Sequence, residues 1–544
     1  MRRPQQTWKL IVLAGVAILA AAAGPAVGQA LRQQPAPAPQ PPPGQEQIDA
    51  DTCFGCHGEV DQLWQKSPHA SLACNTCHGD VQAHLQEPTN HPRTSLEPET
   101  CGQCHEPQYQ SSMLVNWEAE ARQEKGVPGG RSPLQDKLLA PHGFTIEHNE
   151  PRSHPFMVVD QLTVDRFASG RYQFKDAWGV TRPGKTWDVL EDTGEPISGL
   201  ASAGNATCLQ CKTSDLILDW QYMGDPSPNA RWSRTSDVNE LVRAVHNPVG
   251  CIHCHDPHGA RPRVVRDALI EAVQRDGATP YAEDKGKQAL QVVDFRDFRK
   301  IGLLAEADSN LLCAQCHVEY NCNAGLPPEG EGKIGYDSRL TNHFPWKNVL
   351  DVLNHYDKVG FRDFRHAVTG ARLIKLQHPE METYWQSPHD RAGVKCVDCH
   401  LGKISEGGKE YTNHAMLRPR HNVERTCLNC HQDSSPEELL YQVDAVQNYT
   451  RGKIRKAEYQ LSVLIDTYQE AVRQGVPEAT LAQARKQHEI SHVLWEWWTA
   501  ENSDGWHNPD LARRSLLQSH IEARKGVEML QAAMKGKTKP AVIK

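Results

Sequence analysis

The sequence predicts a mainly α-helical chain with little β structure, long loops and a C-terminal bundle of long helices, and three observations carry that reading. From about Ser435 the chain is charged, helix-favouring and periodically apolar over Glu437–Gly475, Pro477–Ala500 and Pro509–Lys535. The stretch 106–207 is rich in Gly-, Pro- and Trp-containing loops and has few strong strand patterns. Sixteen of the 17 cysteines fall into eight Cys-x-x-Cys pairs, seven of them followed by histidine, the attachment signature of c-type haem. The product of the residue frequencies would give roughly 0.03 such matches by chance, so neither a disulfide framework nor zinc is the reading. Covalently held haems would supply most of the apolar interior, which is how a chain only 38% hydrophobic can be compact. The fold expected is that of a multihaem cytochrome c.

In chain order, residues 1–30 read as a secretory signal. Arg2, Arg3 and Lys9 precede an apolar run from Leu10 to Ala23, and small residues follow, with cleavage expected after Gly28 or Ala30. The apolar run is short for a bilayer span, so an uncleaved anchor is the lesser reading, and the mature protein is expected to be soluble and periplasmic. Residues 31–47 form a Pro-rich linker. A three-haem segment is expected over 48–140, a catalytic five-haem segment over 141–433 and long helices over 434–544. The formal net charge is −8 and no basic run suggests nucleic acid. The apolar stripes of the last helices suit either an intramolecular bundle or subunit contacts, and a homo-oligomer is expected. His488 and His492 stand four apart on one of these helices and read as a solvated face rather than a metal pair.

The attachment cysteines are Cys53 and Cys56, Cys74 and Cys77, Cys101 and Cys104, Cys208 and Cys211, Cys251 and Cys254, Cys313 and Cys316, Cys396 and Cys399, and Cys427 and Cys430. Their motifs end in the proximal iron ligands His57, His78, His105, Lys212, His255, His317, His400 and His431. The fourth differs from the rest because Lys212 stands where the others have histidine. An amine binds iron only when neutral, and deprotonating it at pH 7 costs roughly 4–5 kcal/mol. A chain that makes this exception once needs a different iron there, so haem 4 is read as the reactive centre. An internal repeat surrounds the motifs. Trp64, Ser67-Pro-His69, Cys74–His78, Thr89-Asn-His91 and Cys101–His105 recur as Trp385, Ser387-Pro-His389, Cys396–His400, Thr412-Asn-His414 and Cys427–His431. His69 and His389, and His91 and His414, are therefore expected to share roles as sixth ligands.

Beyond haem 4, Cys313–Tyr320, Lys375-Leu-Gln-His378-Pro-Glu and the Cys-x-x-Cys-Lys motif together resemble the ammonia-forming cytochrome c nitrite reductases, over roughly residues 140–510. Three preceding haems and the odd cysteine in Tyr320-Asn-Cys322 resemble the octahaem members, in which this tyrosine and cysteine are joined by a thioether. The resemblance implies an active-site arginine at Arg166, twelve residues after His154, with Tyr320, His378 and Lys212 as its companions. It implies distal ligands His154 for haem 6, His414 for haem 5, His389 for haem 8 and His507 for haem 7. The repeat then suggests His91 for haem 1 and His69 for haem 3, with His142 or His148 open for haem 2. A calcium ion beside the active haem is also implied, held by the Glu319 and Gln377 side chains and the Tyr320 and Lys375 carbonyls. Oxygen-only ligation of that kind suits calcium.

An iron held only by Lys212 leaves one face open for a small anion, while six-coordinate haems serve as wires. Arg166 can hold an anionic oxygen through fixed N–H donors. His378, with an ordinary pKa near 6.5, can donate protons, and Tyr320 can donate a hydrogen bond or proton. The substrate expected is nitrite, with hydroxylamine and sulfite suiting the same pocket. The electron donor expected is another periplasmic cytochrome or a membrane quinol dehydrogenase. A hydroxylamine oxidoreductase-like enzyme and a non-enzymatic electron carrier are the rival readings. Lys212 argues against the first, since the oxidising relatives keep histidine at the catalytic haem. A five-coordinate haem would argue against the second.

Overall fold

The structure, a computed structural model, describes residues 46–114, 134–139, 154–157, 172–175, 185–188, 206–215, 244–281, 290–295, 299–304, 309–321, 326 and 343–535. All belong to one body, Gln40–Lys544. The proposed signal segment and most of the linker lie outside these residues, as do Arg166, His142, His148 and Cys322.

The haem motifs dictate the texture of the first part. In five of them the histidine N–H donates to the carbonyl of the first cysteine, four residues back: His57 to Cys53, His105 to Cys101, His255 to Cys251 and His317 to Cys313, each at 2.9 Å, and His431 to Cys427 at 3.0 Å. One helical turn puts residues i, i+3 and i+4 on one face, so both thiols and the ring point the same way. Helices here are accordingly short, as in Asp51–Phe54, Gly58–Trp64 and Val81–Gln86.

The middle of the chain builds a small sheet and a helix. Strand β1 (Arg263–Val264) leads into helix α1 (Asp267–Asp276), and β2 (Leu290–Phe295) and β3 (Arg299–Leu304) follow, with the antiparallel order β1-β3-β2. Val264 and Val292 both face Gly302 across the ladders. A Cβ at Gly302 would come within 3.0 Å of Leu290 Cδ1, so the sheet packs closely there. Helix α1 buries Leu269, Ile270 and Val273 in a core shared with Leu311, Phe344 and Trp346.

The last fifth is three helices: α2 (Pro436–Arg473), α3 (Glu478–Ala500) and α4 (Pro509–Lys535). Their ends follow local chemistry. Ser435 caps α2 with Glu438 in a reciprocal capping box and Pro436 fills the first turn. Gly475, at φ +68, ends it, and Val476 N–H returns to Ala471 O at 3.0 Å. Asn508 accepts from Leu511 N at 3.2 Å at the start of α4. Leu461, Leu464, Trp495, Trp498, Leu516 and Ala523 close an intramolecular core, so these apolar stripes are used within the chain. Among the described residues, no helix is long and apolar enough to cross a membrane. The mainly helical class expected from the sequence is the one observed.

Candidate active site

The seven Cys-x-x-Cys-His motifs each present their histidine to a second imidazole. Ring centres lie 6.1 Å apart for His57 and His84, for His69 and His105, and for His78 and His258. They lie 6.4 Å apart for His255 and His414, 6.5 Å for His154 and His317, 6.3 Å for His389 and His431, and 6.4 Å for His400 and His507. Two metal–imidazole bonds of about 2.0 Å, with the ring radius added at each end, give roughly 6.3 Å. The spacing therefore fits an iron between each pair. Several partners have Nδ1 engaged, which leaves Nε2 for a metal: His84 on Asn90 O (3.0 Å), His69 on Pro257 O (2.8 Å), His414 on Thr412 O (2.9 Å) and His507 on Glu501 (2.6 Å). Such partners fix tautomer and ring direction.

In two places the ring that faces a motif histidine is not one the sequence suggested. The ring facing His57 is His84, while His91 is exposed. The repeat breaks after the first motif of each block. The chain forms the helix Val81–Gln86 in one block and the hairpin Lys403–Thr412 in the other, and the helix carries His84 back to the first motif, ahead of its own block. The ring facing His78 is His258, three residues beyond His255 in the fifth motif, whereas the expected His142 and His148 lie outside the described residues. The signal for His258 was its place in Cys-His-Asp-Pro-His, and no repeat drew attention to it.

The cysteines of successive motifs also touch. Cys74 lies against Cys53, Cys101 against Cys251, Cys316 against Cys211 and Cys313 against Cys396. Cys104 also lies near Cys77, Cys399 near Cys427, and Cys254 near Cys313. The motifs thus form a row, 1-2-3-5-6-7-8, with the lysine motif beside the sixth.

The lysine motif is a run of 3-10 turns, Ala206–Cys211, and Lys212 N–H donates to Leu209 O at 2.9 Å. The chain after it is clamped to the strand of chain before Cys251. Thr213 Oγ1 donates to Asn247 O and Ser214 Oγ to Pro248 O, both at 2.6 Å, and Asp215 accepts from the backbone of His246 and Asn247. Tyr320 is 4% exposed and packs on Phe344, ring centres 6.0 Å apart. Behind it Glu319 is fully buried, accepting from Gln377 N–H at 2.7 Å and Tyr356 O–H at 2.9 Å. Gln377 Nε2 reaches Lys375 O at 3.1 Å. Glu319, Gln377 and Lys375 therefore converge. Burial, together with nearby Asp363, pushes the Glu319 carboxyl well above its usual range. A hard cation among these oxygens would favour its ionised form, so the donor set fits one.

The segment carrying Lys375, Gln377 and His378 is held from beneath by residues expected to face water. His488 and His492 are fully buried, a correction to the solvated-face reading. Helix α3 turns this face onto residues 366–376, where Thr369 Oγ1 meets His488 Nδ1 at 2.9 Å and His492 Nε2 meets Ile374 O at 3.0 Å. Glu496, also fully buried, joins His492 (2.7 Å) to the Lys375 ammonium (3.0 Å). An i, i+4 polar pair looks the same in sequence whether it meets solvent or a neighbouring segment. Glu380 joins the same region to the haem row. Its carboxylate meets His317 Nδ1 at 3.3 Å and accepts from Asn502 Nδ2 at 2.6 Å, and its pKa is held down at about 2 against burial by His317, with His378 and His507 adding to it.

A helical fold threaded by paired histidines and Cys-x-x-Cys turns defines a multihaem c-type cytochrome. Residues 127–543 match the cytochrome c552 family model, and the chain belongs to that family. Cytochrome c-552 of Parabacteroides distasonis is 31% identical over 394 residues, 71% of this chain and 66% of the relative. The cytochrome c nitrite reductase subunit NrfA of Nitratidesulfovibrio vulgaris is 28% identical, over 74% of this chain and 69% of its own. The chain spans 60 to 66% of the length of the first curated relatives it matches. The solved catalytic subunit of the Desulfovibrio desulfuricans cytochrome c nitrite reductase, a structure concerned with two calcium sites, is 26% identical. It superposes with a TM-score of 0.59 over 83% of this chain and 89% of its own.

Proposed function

We propose that this chain is an exported octahaem cytochrome that reduces nitrite to ammonium at the haem held by Cys208, Cys211 and Lys212. The observation that carries the reading is seven motif histidines, each facing a second imidazole, beside one motif ending in lysine. The seven imidazole pairs would each fill both axial positions of a haem held there, which would then serve only to pass electrons. The eighth keeps a face for substrate. The residues that would hold the second axial positions, in motif order, are His84, His258, His69, then His414, His154, His507 and His389 for haems 5 to 8. A calcium ion on Glu319, Gln377 and the Tyr320 and Lys375 carbonyls holds the loop that carries Tyr320 and Gln377.

Bound haem supplies the iron that takes up the anion and the six electrons, and the chain supplies the rest. Nitrite, six electrons and eight protons give ammonium and two waters. Arg166 holds an anionic oxygen of the substrate. His378 delivers protons to the departing oxygens, and Tyr320, cross-linked to Cys322, donates a further hydrogen bond. Hydroxylamine and sulfite fit the same small positive pocket. The electron donor is a periplasmic cytochrome or membrane quinol dehydrogenase, and the exposed face of α2 carries the contact of a homo-oligomer.

The test is the yield of ammonium per nitrite consumed with a reduced viologen. One-to-one conversion is expected, and nitric oxide or hydroxylamine as the main product would overturn the assignment. Chelation with EGTA should slow turnover, and added calcium should restore it.

A further inference from the structure

Glu380 and Glu501 each hold an axial histidine of the row, and neither belongs to a haem motif. Glu380 Oε2 lies 3.3 Å from Nδ1 of His317, the histidine of the sixth motif. Glu501 Oε1 lies 2.6 Å from Nδ1 of His507, which faces His400 of the seventh. A ring that gives Nε2 to iron keeps its proton on Nδ1, so in both places the imidazole donates and the carboxylate accepts. Other rings of the row make a contrast. His84, His69, His414 and His400 set Nδ1 on backbone carbonyls at 2.8 to 3.1 Å. A bond to an ionised acceptor is about twice as strong as one to a neutral carbonyl.

One short turn sets both carboxylates. Helix α3 ends at Ala500, and Glu501 follows it with its N–H on Trp497 O at 2.9 Å. Glu501 Oε2 accepts from Ser503 Oγ at 2.8 Å, and Ser503 Oγ accepts in turn from His507 N–H at 2.9 Å. Asn502 donates to Glu380 Oε1 twice, from its N–H at 3.0 Å and from Nδ2 at 2.6 Å. Gly505 lets the chain turn there, at φ +85, where an added Cβ would stand 2.5 Å from Thr450 Oγ1. Glu501 is fully buried and Glu380 is 7% exposed, and a hydrogen bond is stronger in such surroundings than in water. A carboxylate that accepts the Nδ1 proton leaves more electron density on Nε2. A ligand of that kind favours ferric over ferrous iron.

We propose that Glu380 and Glu501 are positioning residues that set the potentials of the sixth and seventh haems. Each makes its histidine a more anionic ligand, and so makes that haem harder to reduce than a carbonyl-bonded ring would. The sixth and seventh motifs adjoin, Cys313 against Cys396, and the sixth meets the lysine motif at Cys316 and Cys211. Electrons are thus raised in energy at the last two stations before the centre where substrate binds. The transfer toward substrate rests on the nitrite-reducing reading, and the two potentials do not.

The experiment is a potentiometric titration of the fully loaded protein without nitrite, followed by electron paramagnetic resonance. His154→Ala and His507→Ala each remove one low-spin signal and so assign the sixth and seventh haems. In Glu501→Gln and Glu380→Gln the amide oxygen stays on Ser503 or Asn502, and the amide nitrogen then meets the ring N–H donor to donor. Glu501→Gln should favour reduction of the seventh haem tenfold or more, a midpoint raised by about 59 mV or more for one electron. Glu380→Gln, with the longer bond, should favour reduction of the sixth at least threefold, about 28 mV on the same scale. The g spread of the affected signal should widen, because a weaker axial donor splits the iron levels less. The haems on Cys53 and Cys427 should stay where they were. Glu380→Met and Glu501→Met repeat the test, because replacing a buried charge with an apolar side chain is often tolerated. A loaded variant with the wild-type midpoint overturns the proposal. So does a raised midpoint with an unchanged g spread, which is the field of a buried charge and not a change of ligand. If neither neutral variant at a position attaches its haem, the carboxylate serves assembly and the proposal fails. The ammonium assay on the wild type tests the enzymatic reading separately, since the midpoints are read without substrate.

Discussion

At the residue scale, each imidazole's work is set by what its other nitrogen touches. His84 is held by Asn90 O and faces His57, whereas His91 is exposed. His84→Ala should therefore convert one low-spin haem to high-spin, read as a second high-spin signal of similar size, and His91→Ala should leave the spectrum unchanged. Equal spectra for the two variants would return the ligand to the repeat's choice. A further histidine pair belongs to none of the Cys-x-x-Cys motifs. His343 and His355 meet Nε2 to Nε2 at 2.7 Å, with ring planes 10° apart. Burial, then the nearby Arg275 cation, holds His343 at about 3 and His355 at about 4, against 6.5 when unfolded. Between those values the unfolded chain binds more protons, so stability is full above pH 6.5 and falls as the solution is acidified. For His343 the slope approaches about 1.4 kcal/mol per pH unit. Thermal midpoints measured from pH 7 to 4 should fall less steeply for His343→Gln than for the wild type.

At the element scale, the C-terminal helices are fixed by caps and by close approach. The capping box at Ser435 satisfies one N–H in each direction, at 3.2 Å and 2.9 Å. Ser435→Ala should cost about 1 kcal/mol. Helices α2 and α4 come together at Gly526, where an added Cβ would stand 2.7 Å from Leu464 Cδ1. Gly526→Ala gains helix propensity but forces the helices apart, and overpacking of this kind costs roughly 1–3 kcal/mol. A thermal midpoint lowered by several degrees is expected. An unchanged or raised midpoint would mean that Leu464 repacks freely.

At the scale of the whole molecule, the row of neighbouring motifs has its branch at the sixth, where Cys316 meets Cys211. On the proposed function, electrons entering at either end would reach the lysine motif by the same last step. The outer face of α2 is the other large-scale feature. Tyr441 and Tyr459 are 75% and 66% exposed and stand five turns apart on one side, with Gly452 open between them. If this face joins two copies, the mature protein should sediment at about twice its monomer mass, and Tyr459→Glu should return it to monomer with its haems intact. A wild-type monomer at micromolar concentration would remove the contact.

What the sequence determined by itself is whatever is local. A haem motif is one helical turn, so its cysteines and histidine are legible as i, i+3 and i+4, and the one lysine among them is legible as an exception. The long helices were readable because apolar period, Ser-Pro-x-Glu start and Gly stop all lie within the segment that folds. Tertiary structure alone decided the rest. The second imidazole of each pair arrives from another element, and the repeat could not say that His84 would turn back from a helix or that His258 would reach His78 from the fifth motif. His488 and His492 keep the spacing of a wetted face, yet they lie under residues 366–376 because α3 rolls that side onto them. Arg263 and Arg266 follow the same rule. Nothing in Arg-Pro-Arg-Val-Val-Arg says that the one will meet Asp256 or that the other will reach Cys211, because burial and partner are properties of packed neighbours and not of spacing.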